Sequence, residues 1–269
     1  MKPIKLNAVL ATLAIVAMMT VSGCKKDDTP GAETSYDLKV QDVLGVTGKA
    51  TFIETENNAT TIDVVLFGAE AGVHPAELRM NSAAEGGAVV VNLNPVDASG
   101  KSSTLVTSMS YSELIGYDGF IQVLKSSSEP GIILAKGDIG GNVITDTRIS
   151  YTLEEVGAYG VSGTALFEKR KNGNSLVTLD LDGTISGEVY PATINLSSVA
   201  TIGGGPVTRT LNSVNGTTGK SHTTLRKLDG GLVITYDNWL VYNGYINIYQ
   251  TAAEFANIIS QGNIGSNAD

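Results

Sequence analysis

The chain of 269 residues is poor in the side chains that carry most enzyme chemistry. It has one cysteine, two histidines and one tryptophan, and aromatic residues make up only 6% of it. One cysteine cannot form an intramolecular disulfide, so the folded regions must be held together by their apolar cores. Two histidines and one thiol are also too few for the usual zinc or copper sites. We therefore predict no metal and no cofactor.

Basic residues are scarce as well, which excludes one class of partner. The chain has 18 basic against 27 acidic residues, a formal net charge of −9, and no basic stripe. Nucleic-acid binding needs clustered lysine and arginine to contact phosphates, so it is not expected. The nucleophile motif G-x-S-x-G is absent, and no pair of carboxylates is set apart by apolar surroundings. We predict no catalytic residues and a protein that is not an enzyme.

The N-terminus carries the features of an exported protein. Lys2 and Lys5 precede an apolar run over residues 8–21, which is short for a membrane-spanning helix. The run ends in Val-Ser-Gly-Cys, which resembles the lipobox of bacterial lipoproteins. That resemblance implies that residues 1–23 are a lipoprotein signal peptide and that Cys24 carries the lipid. The alternative is an ordinary signal peptide with a chance cysteine.

Residues 24–34 are interpreted as a lipidated N-terminus followed by a flexible tether. The Lys-Lys-Asp-Asp segment at 25–28 resembles the short charged tag that sends some outer-membrane lipoproteins to the cell surface, although a solvated spacer would have the same composition. We expect an outer-membrane lipoprotein held at the membrane by its lipid. Exposure at the cell surface and a periplasmic orientation are both left open.

An internal repeat organises the rest of the chain. Residues 35–38 (SYDL) and 46–52 (VTGKATF) return 115 positions later as SYTL and VSGTALF, and residues 117–123 (YDGFIQV) return 125 positions later as YNGYINI. The chain is thus one module used twice. Module 1 spans residues 35–142 and module 2 spans residues 150–267. The short connection between them predicts a constrained pair.

A two-residue period predicts that both modules are all-β. Val177, Leu179 and Leu181 alternate with polar residues, which is typical of a strand with one buried face. Turn signals separate short runs of this kind, and long helical periodicity is absent. We predict two tandem antiparallel β-sandwich modules. One exception is a short helical turn after Ser110, which opens a capping box, with a counterpart after Thr235.

One strand of module 1 differs from its copy on the outer face. Val65 and Phe67 stand where module 2 has Asp180 and Asp182. An exposed apolar pair on a strand is a candidate contact surface, either for module 2 or for a partner protein. The alternative is that a loop covers the pair.

Both copies resemble the CHRD domain, which was first described in chordin and is common in bacterial secreted proteins. The shared elements are an opening G-x-A-x-F strand, an H-x-A segment and a closing G-[FY]-[IV]-[NQ]-[IV] strand followed by G-x-I. In module 1 they fall at residues 48–52, 74–79, 119–123 and 137–139, and in module 2 at 163–167, 190–195, 244–248 and 262–264. The resemblance implies an immunoglobulin-like or superoxide-dismutase-like Greek-key sandwich and no established chemistry.

The chain departs from that family in its histidines. The family usually has several in the H-x-A segment, but Glu77 and Arg79 stand where two of them would fall. His74 and His222 do not occupy matching positions in the two copies. We expect His74 in a loop and His222 exposed, and no dismutase-type metal site.

Aromatic residues of module 2 are the remaining candidates for ligand binding. Tyr245, Asn247 and Tyr249 alternate on one strand, and Trp239 lies a few positions before them. Rings beside amides are what a sugar-binding surface requires, and ordinary packing is the alternative.

From these features we predict a non-catalytic, lipid-anchored envelope protein that acts as a structural, adhesion or protein-interaction module. The alternative is a glycan-binding surface lipoprotein that uses the aromatic face of module 2. The expected partners are the membrane, through the N-terminal lipid, and another envelope protein or a polysaccharide.

Overall fold

The structure, a computed structural model, describes residues 31–252 and 257–268. The predicted signal peptide 1–23 and the predicted lipidation site Cys24 lie outside this range. The all-β prediction is confirmed, since the described residues form sixteen strands, two short α-helices and two 3₁₀ helices of three residues each. Among these residues no helix is long and apolar enough to span a membrane.

Each module contributes eight strands and one short helix. Module 1 contains β1 (Glu33–Val40), β2 (Thr47–Glu54), β3 (Thr60–Phe67), β4 (His74–Met80), β5 (Val89–Val96), β6 (Lys101–Val106), α1 (Tyr111–Gly116), β7 (Gly119–Leu124) and β8 (Ile133–Asp138). Module 2 contains β9 (Ile144–Glu155), β10 (Ser162–Arg170), β11 (Ser175–Asp182), β12 (Val189–Leu196), β13 (Val207–Asn215), β14 (Lys220–Leu225), α2 (Tyr236–Trp239), β15 (Asn243–Tyr249) and β16 (Ile258–Gly265).

Two boundaries differ from the sequence prediction. The tether was expected to extend to residue 34, but β1 already begins at Glu33. The connection between the modules, expected at residues 143–149, lies almost entirely within β9, a strand of 12 residues. Ile149 of β9 pairs with Phe167 of β10, so the connection is part of the sheet of module 2. The described residues accordingly form one compact unit.

The two sheets have the same strand order. Module 2 closes into a barrel with the order β10-β11-β14-β13-β12-β15-β16-β9, and module 1 repeats this order as β2-β3-β6 and β5-β4-β7-β8-β1. The modules differ at one seam. Asn215 of β13 pairs with Lys220 of β14, whereas β5 and β6 are not neighbours in the sheet of module 1. Module 1 is therefore a nearly closed barrel.

Side chains bridge that seam in both modules. In module 1 the backbone N–H of Asn94 donates to Thr104 Oγ1 at 2.8 Å, and Asn94 Nδ2 donates to the carbonyl of Ser103 at 2.7 Å. In module 2 Asn212 makes the same two bonds, from its backbone N–H to Thr223 Oγ1 at 2.9 Å and from Nδ2 to the carbonyl of His222 at 2.6 Å. An asparagine and a threonine thus replace the backbone ladder where the strands diverge.

The cores follow the predicted alternation. Val177, Leu179 and Leu181 of β11 are buried, as are the matching residues Ile62, Val64 and Leu66 of β3. Each core also contains one edge-to-face aromatic pair at the same place. Tyr36 and Phe52 are 5.3 Å apart between ring centroids, and Tyr151 and Phe167 are 5.4 Å apart. Such pairs stabilise a core beyond the area they bury.

The capping box predicted at Ser110 is present, and the predicted counterpart of this helical turn also begins with a capping box. Ser110 Oγ accepts from the backbone N–H of Glu113, whose carboxylate accepts from the N–H of Ser110 at 2.7 Å. Thr235 and Asn238 repeat the arrangement before α2. These bonds satisfy backbone donors that a helix start leaves free.

Candidate functional site

The two modules meet around one buried arginine. Arg170 is the last residue of β10, and its side chain has no exposed surface. Its Nη1 donates to the backbone carbonyl of Asn142 at 2.7 Å and lies 3.6 Å from Asp138 Oδ2. Both partners belong to the end of module 1. A guanidinium removed from water needs such neighbours, because an uncompensated buried charge is strongly destabilising.

Burial and charge act against each other in this ion pair. Burial raises the pKa of the Asp138 carboxyl, and the Arg170 charge opposes that rise. Burial lowers the pKa of Arg170, while Asp138, Glu85 and Asp118 oppose that fall. Asp138 Oδ1 also accepts from the backbone N–H of Ala83 at 2.7 Å. The carboxylate therefore has two roles, one within module 1 and one toward module 2.

A second set of contacts surrounds this pair. The Glu85 carboxylate accepts from the N–H of Thr224 at 2.7 Å and from its hydroxyl at 2.5 Å. Asp118 accepts from Asn172 Nδ2 at 2.7 Å and lies 3.7 Å from the Arg226 guanidinium. In each contact module 1 supplies the carboxylate and module 2 supplies the donor. The junction is therefore complementary in charge as well as in hydrogen bonding.

The backbone adds two further contacts at the junction. Lys171 N–H donates to the carbonyl of Val143 at 2.9 Å, and Asn172 N–H donates to the carbonyl of Gly141 at 3.1 Å. A Cβ on Gly141 would lie 2.4 Å from Asp118 Oδ1 and 2.9 Å from the side chain of Asn172. A side chain at this position would displace the side chains of Asp118 and Asn172, which make one of the contacts between the modules.

A cleft of about 520 Å³ opens beside the junction. Module 1 forms one wall with Tyr36 and Lys136, and module 2 forms the other with Leu176 and His222. Neither module encloses this space alone.

Sequence reasoning did not identify the junction residues. The signal was nevertheless present, because charges there differ between the two copies. Asp138 and Asn263 occupy the same place in β8 and β16, opposite Phe120 and Tyr245. Arg170 ends β10, and the matching position of module 1 is the uncharged Thr55. A comparison of the copies by charge would have singled out these positions.

The four predicted sugar-binding residues are buried. Trp239 is 1% exposed, and Tyr245, Asn247 and Tyr249 are each 5% exposed or less. They do not form the open aromatic face that the sequence predicted. Trp239 packs in the core of module 2, with its ring 4.7 Å from that of Tyr242.

The alternating residues of β15 do not form an open face, because other parts of module 2 cover them. They do point away from the barrel core, but the loop at Gly205 and the neighbouring strand β12 cover that side of the strand. The Tyr245 hydroxyl accepts from the N–H of Gly205 at 2.9 Å, and Tyr249 Oη lies 3.1 Å from Thr193 Oγ1. The period of a strand shows which side chains share a face and cannot show that a loop closes over it.

Val65 and Phe67 lie on the outer face of β3, as predicted. Val65 is half-buried between Lys49 and Lys101 of the neighbouring strands, and Phe67 is 54% exposed. The contacts between the modules described above use other residues. The use of this pair as a partner contact stays a prediction.

Both histidines are more enclosed than expected. His74 was expected in a loop, but it begins β4 and is buried, with Nδ1 2.7 Å from the carbonyl of Lys125 and Nε2 3.0 Å from that of Glu70. His222 was expected to be exposed, but it lies half-buried in β14, and burial lowers its pKa. Within residues 31–252 and 257–268, no group of three or more His, Cys, Asp or Glu side chains is arranged to hold a metal ion.

Comparison with known proteins adds no family assignment. No model of a known protein family matches this chain, and no curated protein matches it.

Proposed function

We propose that this protein is a non-catalytic, lipid-anchored protein of the bacterial envelope that works as a protein-interaction module. Its two barrels, held together by a buried ion pair, form the scaffold, and an apolar rim of module 1 contacts the partner. We define the apolar rim as Leu44, Phe67 and Val73. All three side chains are more than half exposed.

The three residues of the apolar rim lie at the same end of module 1. Phe67 ends β3, opposite Thr47 at the start of β2. Leu44 lies in the turn before β2. The residue after Phe67, Gly68, packs closely against this turn, since a Cβ on Gly68 would lie 2.4 Å from the carbonyl oxygen of Gly45. Val73 ends the loop that follows β3. Large exposed apolar groups gathered in this way favour a protein contact.

The comparison between the copies is the observation that carries the proposal. Phe67 and Asp182 occupy the same strand position, and both are exposed. The fold therefore accepts a charged residue there, so core packing does not explain the phenylalanine. Contact with an apolar partner surface does explain it.

The fold and the anchor are part of the same proposal. β1 pairs with β2 over residues 33–38 and with β8 at residues 39–40, so it joins two groups of strands. This supports flattened barrels of the sandwich class, immunoglobulin-like or dismutase-like, as the CHRD resemblance implies. For the anchor, Cys24→Ser should abolish incorporation of a labelled fatty acid and release the protein from the membrane fraction. Labelling that persists in this variant would contradict lipidation at Cys24.

The partner contact is tested by photocrosslinking in intact cells. A photoreactive amino acid at position 67 should yield one discrete adduct, and the same group at position 182 should yield none. Val65→Asp combined with Phe67→Asp should abolish the partner contact without unfolding, because module 2 carries aspartate at both matching positions. Ile185→Asp with Val189→Asp, which changes exposed apolar residues of module 2, is the control and should keep the contact. An adduct that survives the module 1 change would contradict the proposal.

A further inference from the structure

We propose that the cleft between the modules is a binding site for a small organic carboxylate, held by the Lys136 ammonium. This site is separate from the apolar rim. Its volume of about 520 Å³ lies in the range of small-ligand pockets, about 300–1,000 Å³.

Part of the cleft is a groove that module 2 also contains, so the residues lining the two grooves can be compared position by position. Module 1 forms it from β1 and β8, and module 2 forms a groove of about 330 Å³ from β9 and β16. The shared positions are Ser35 and Ser150, Tyr36 and Tyr151, and Gly137 and Gly262. The concave shape of the groove is thus a property of the fold that both modules share, and the residues that differ between the modules determine its charge.

The positively charged residues are specific to the groove of module 1. Lys136 and Lys39 face one another across β8 and β1. The matching pair in module 2 is Gln261 and Glu154. Module 1 therefore carries two ammonium groups where module 2 has an amide and a carboxylate. In a chain with a net charge of −9, this is a local reversal of sign.

The charges lining the cleft leave a cationic surplus. Three lysines line it, Lys39, Lys136 and Lys171, against the two carboxylates Asp37 and Asp138. Asp138 already neutralises Arg170 and accepts from a backbone N–H. The nearby Asp42 carboxylate accepts from the N–H of Ile133 at 2.7 Å.

Lys136 is the best-placed cation of the three. Its side chain is half-buried, and its ammonium makes no hydrogen bond within the part of the chain that the structure describes. Burial lowers its pKa, while Asp42 and Asp138 oppose that fall. A partly desolvated ammonium gains more from an anion than an exposed one does, because the local dielectric constant is lower.

The opposite wall provides a neutral polar group and an apolar surface. His222 Nδ1 lies 3.0 Å from Thr178 Oγ1, which leaves Nε2 for another partner. Leu176 is buried in the same wall. A monoanion with an apolar body suits one ammonium, one imidazole and this surface. A dianion would suffer more from the neighbouring aspartates.

Calorimetric titration of the full chain with benzoate and with the isosteric, uncharged benzamide tests the proposal. We expect benzoate to bind and benzamide to bind at least tenfold more weakly. Lys136→Gln, which installs the amide that module 2 carries, should weaken benzoate binding at least tenfold, and Lys136→Arg should retain it. Gln261→Lys in the open groove of module 2 is the matched control and should change nothing.

Three results would overturn the proposal. The first is the absence of any heat of benzoate binding up to 10 mM ligand, a threshold of roughly millimolar affinity. The second is equal binding of benzoate and benzamide, and the third is benzoate binding that Lys136→Gln leaves unchanged. Thermal unfolding of each variant distinguishes lost binding from lost folding. If Lys136→Gln does not fold, a perturbation of the His222 ring resonances by benzoate in the wild-type chain replaces it, and the absence of that perturbation overturns the proposal.

Discussion

The corresponding ends of the two modules keep the same hydrogen bonds but differ in charge. Asn142 Nδ2 donates to the carbonyl of Asn81 at 2.6 Å in module 1, and Asn267 Nδ2 donates to the carbonyl of Ser197 at 2.6 Å in module 2. Next to them, Asp138 accepts from a backbone N–H at 2.7 Å, and Asn263 does so at 3.0 Å.

This comparison separates what the fold needs from what the junction needs. Closing the loop before β5 or β13 requires only an oxygen acceptor, which an amide or a carboxylate supplies equally. The negative charge of Asp138 is additional, and it faces Arg170 of module 2. Module 1 has this bond and, in addition, a charge that faces module 2. Module 2 has the neutral amide at this position.

The largest expected effect comes from giving module 1 the neutral end of module 2. Asp138→Asn preserves an acceptor for the Ala83 N–H but leaves the buried Arg170 without its nearest counter-ion. Removing one partner of a buried pair costs about 3–5 kcal/mol. We expect a loss of this order in the free energy of unfolding, measured by urea denaturation.

Two further variants distinguish charge from packing at this pair. Asp138→Asn combined with Arg170→Met should recover most of the lost stability, because neither charge is then buried alone. Asn263→Asp, the reciprocal change in module 2, should have little effect. If Asp138→Asn were as stable as the wild type, the buried charge would not hold the junction.

A smaller effect is expected at the seam of each barrel. Thr104→Val and Thr223→Val each remove the acceptor of one backbone N–H, a change of about 1 kcal/mol. Because module 1 has no backbone pairing between β5 and β6, its seam should open more readily. Hydrogen exchange at the Asn94 amide should therefore accelerate more in Thr104→Val than exchange at the Asn212 amide in Thr223→Val. Equal acceleration would show that the two seams are equally closed.

The smallest effect concerns pH and His222, whose counterpart in module 1 is Ser103. Burial lowers the pKa of His222 from 6.5, and Lys136 and Lys220 lower it further, while Glu85 and Asp180 oppose them. The folded state thus resists protonation more than the unfolded chain does. The stability that neutral His222 contributes is therefore complete above 6.5, the pKa of histidine in the unfolded chain. This stability is lost as the pH falls through the lower pKa that His222 has in the folded protein.

His222→Gln should therefore flatten the pH dependence of stability. Urea unfolding at pH 7.5 and 5.5 should show a smaller decrease in this variant than in the wild type. An identical decrease in the two proteins would assign the titration to other groups.

The repeat and the strands were predictable from the sequence because they depend on local patterns. The alternation around Val177 and the capping box at Ser110 both reflect neighbours a few residues apart. The side-chain bridge at the seam of module 1 was not predictable, because it depends on Asn94 meeting Thr104 across strands that backbone bonds do not join.

The candidate sites were harder to predict because they depend on burial by distant segments. Tyr245 belongs to an alternating strand, and the loop at Gly205 covers it. Arg170 has the sequence features of a surface hairpin residue, and module 1 buries it. Phe67 was recognisable because the second copy shows that aspartate is tolerated at its position.

The central claim is that the charged junction holds the two modules as one rigid body. Its most direct test is the distance distribution between spin labels at Ser127 and Ser213, two exposed residues in different modules, in a Cys24→Ser background. We predict one narrow distribution that broadens when Arg170→Met is added. A broad distribution in the protein with an intact Arg170 would contradict the claim.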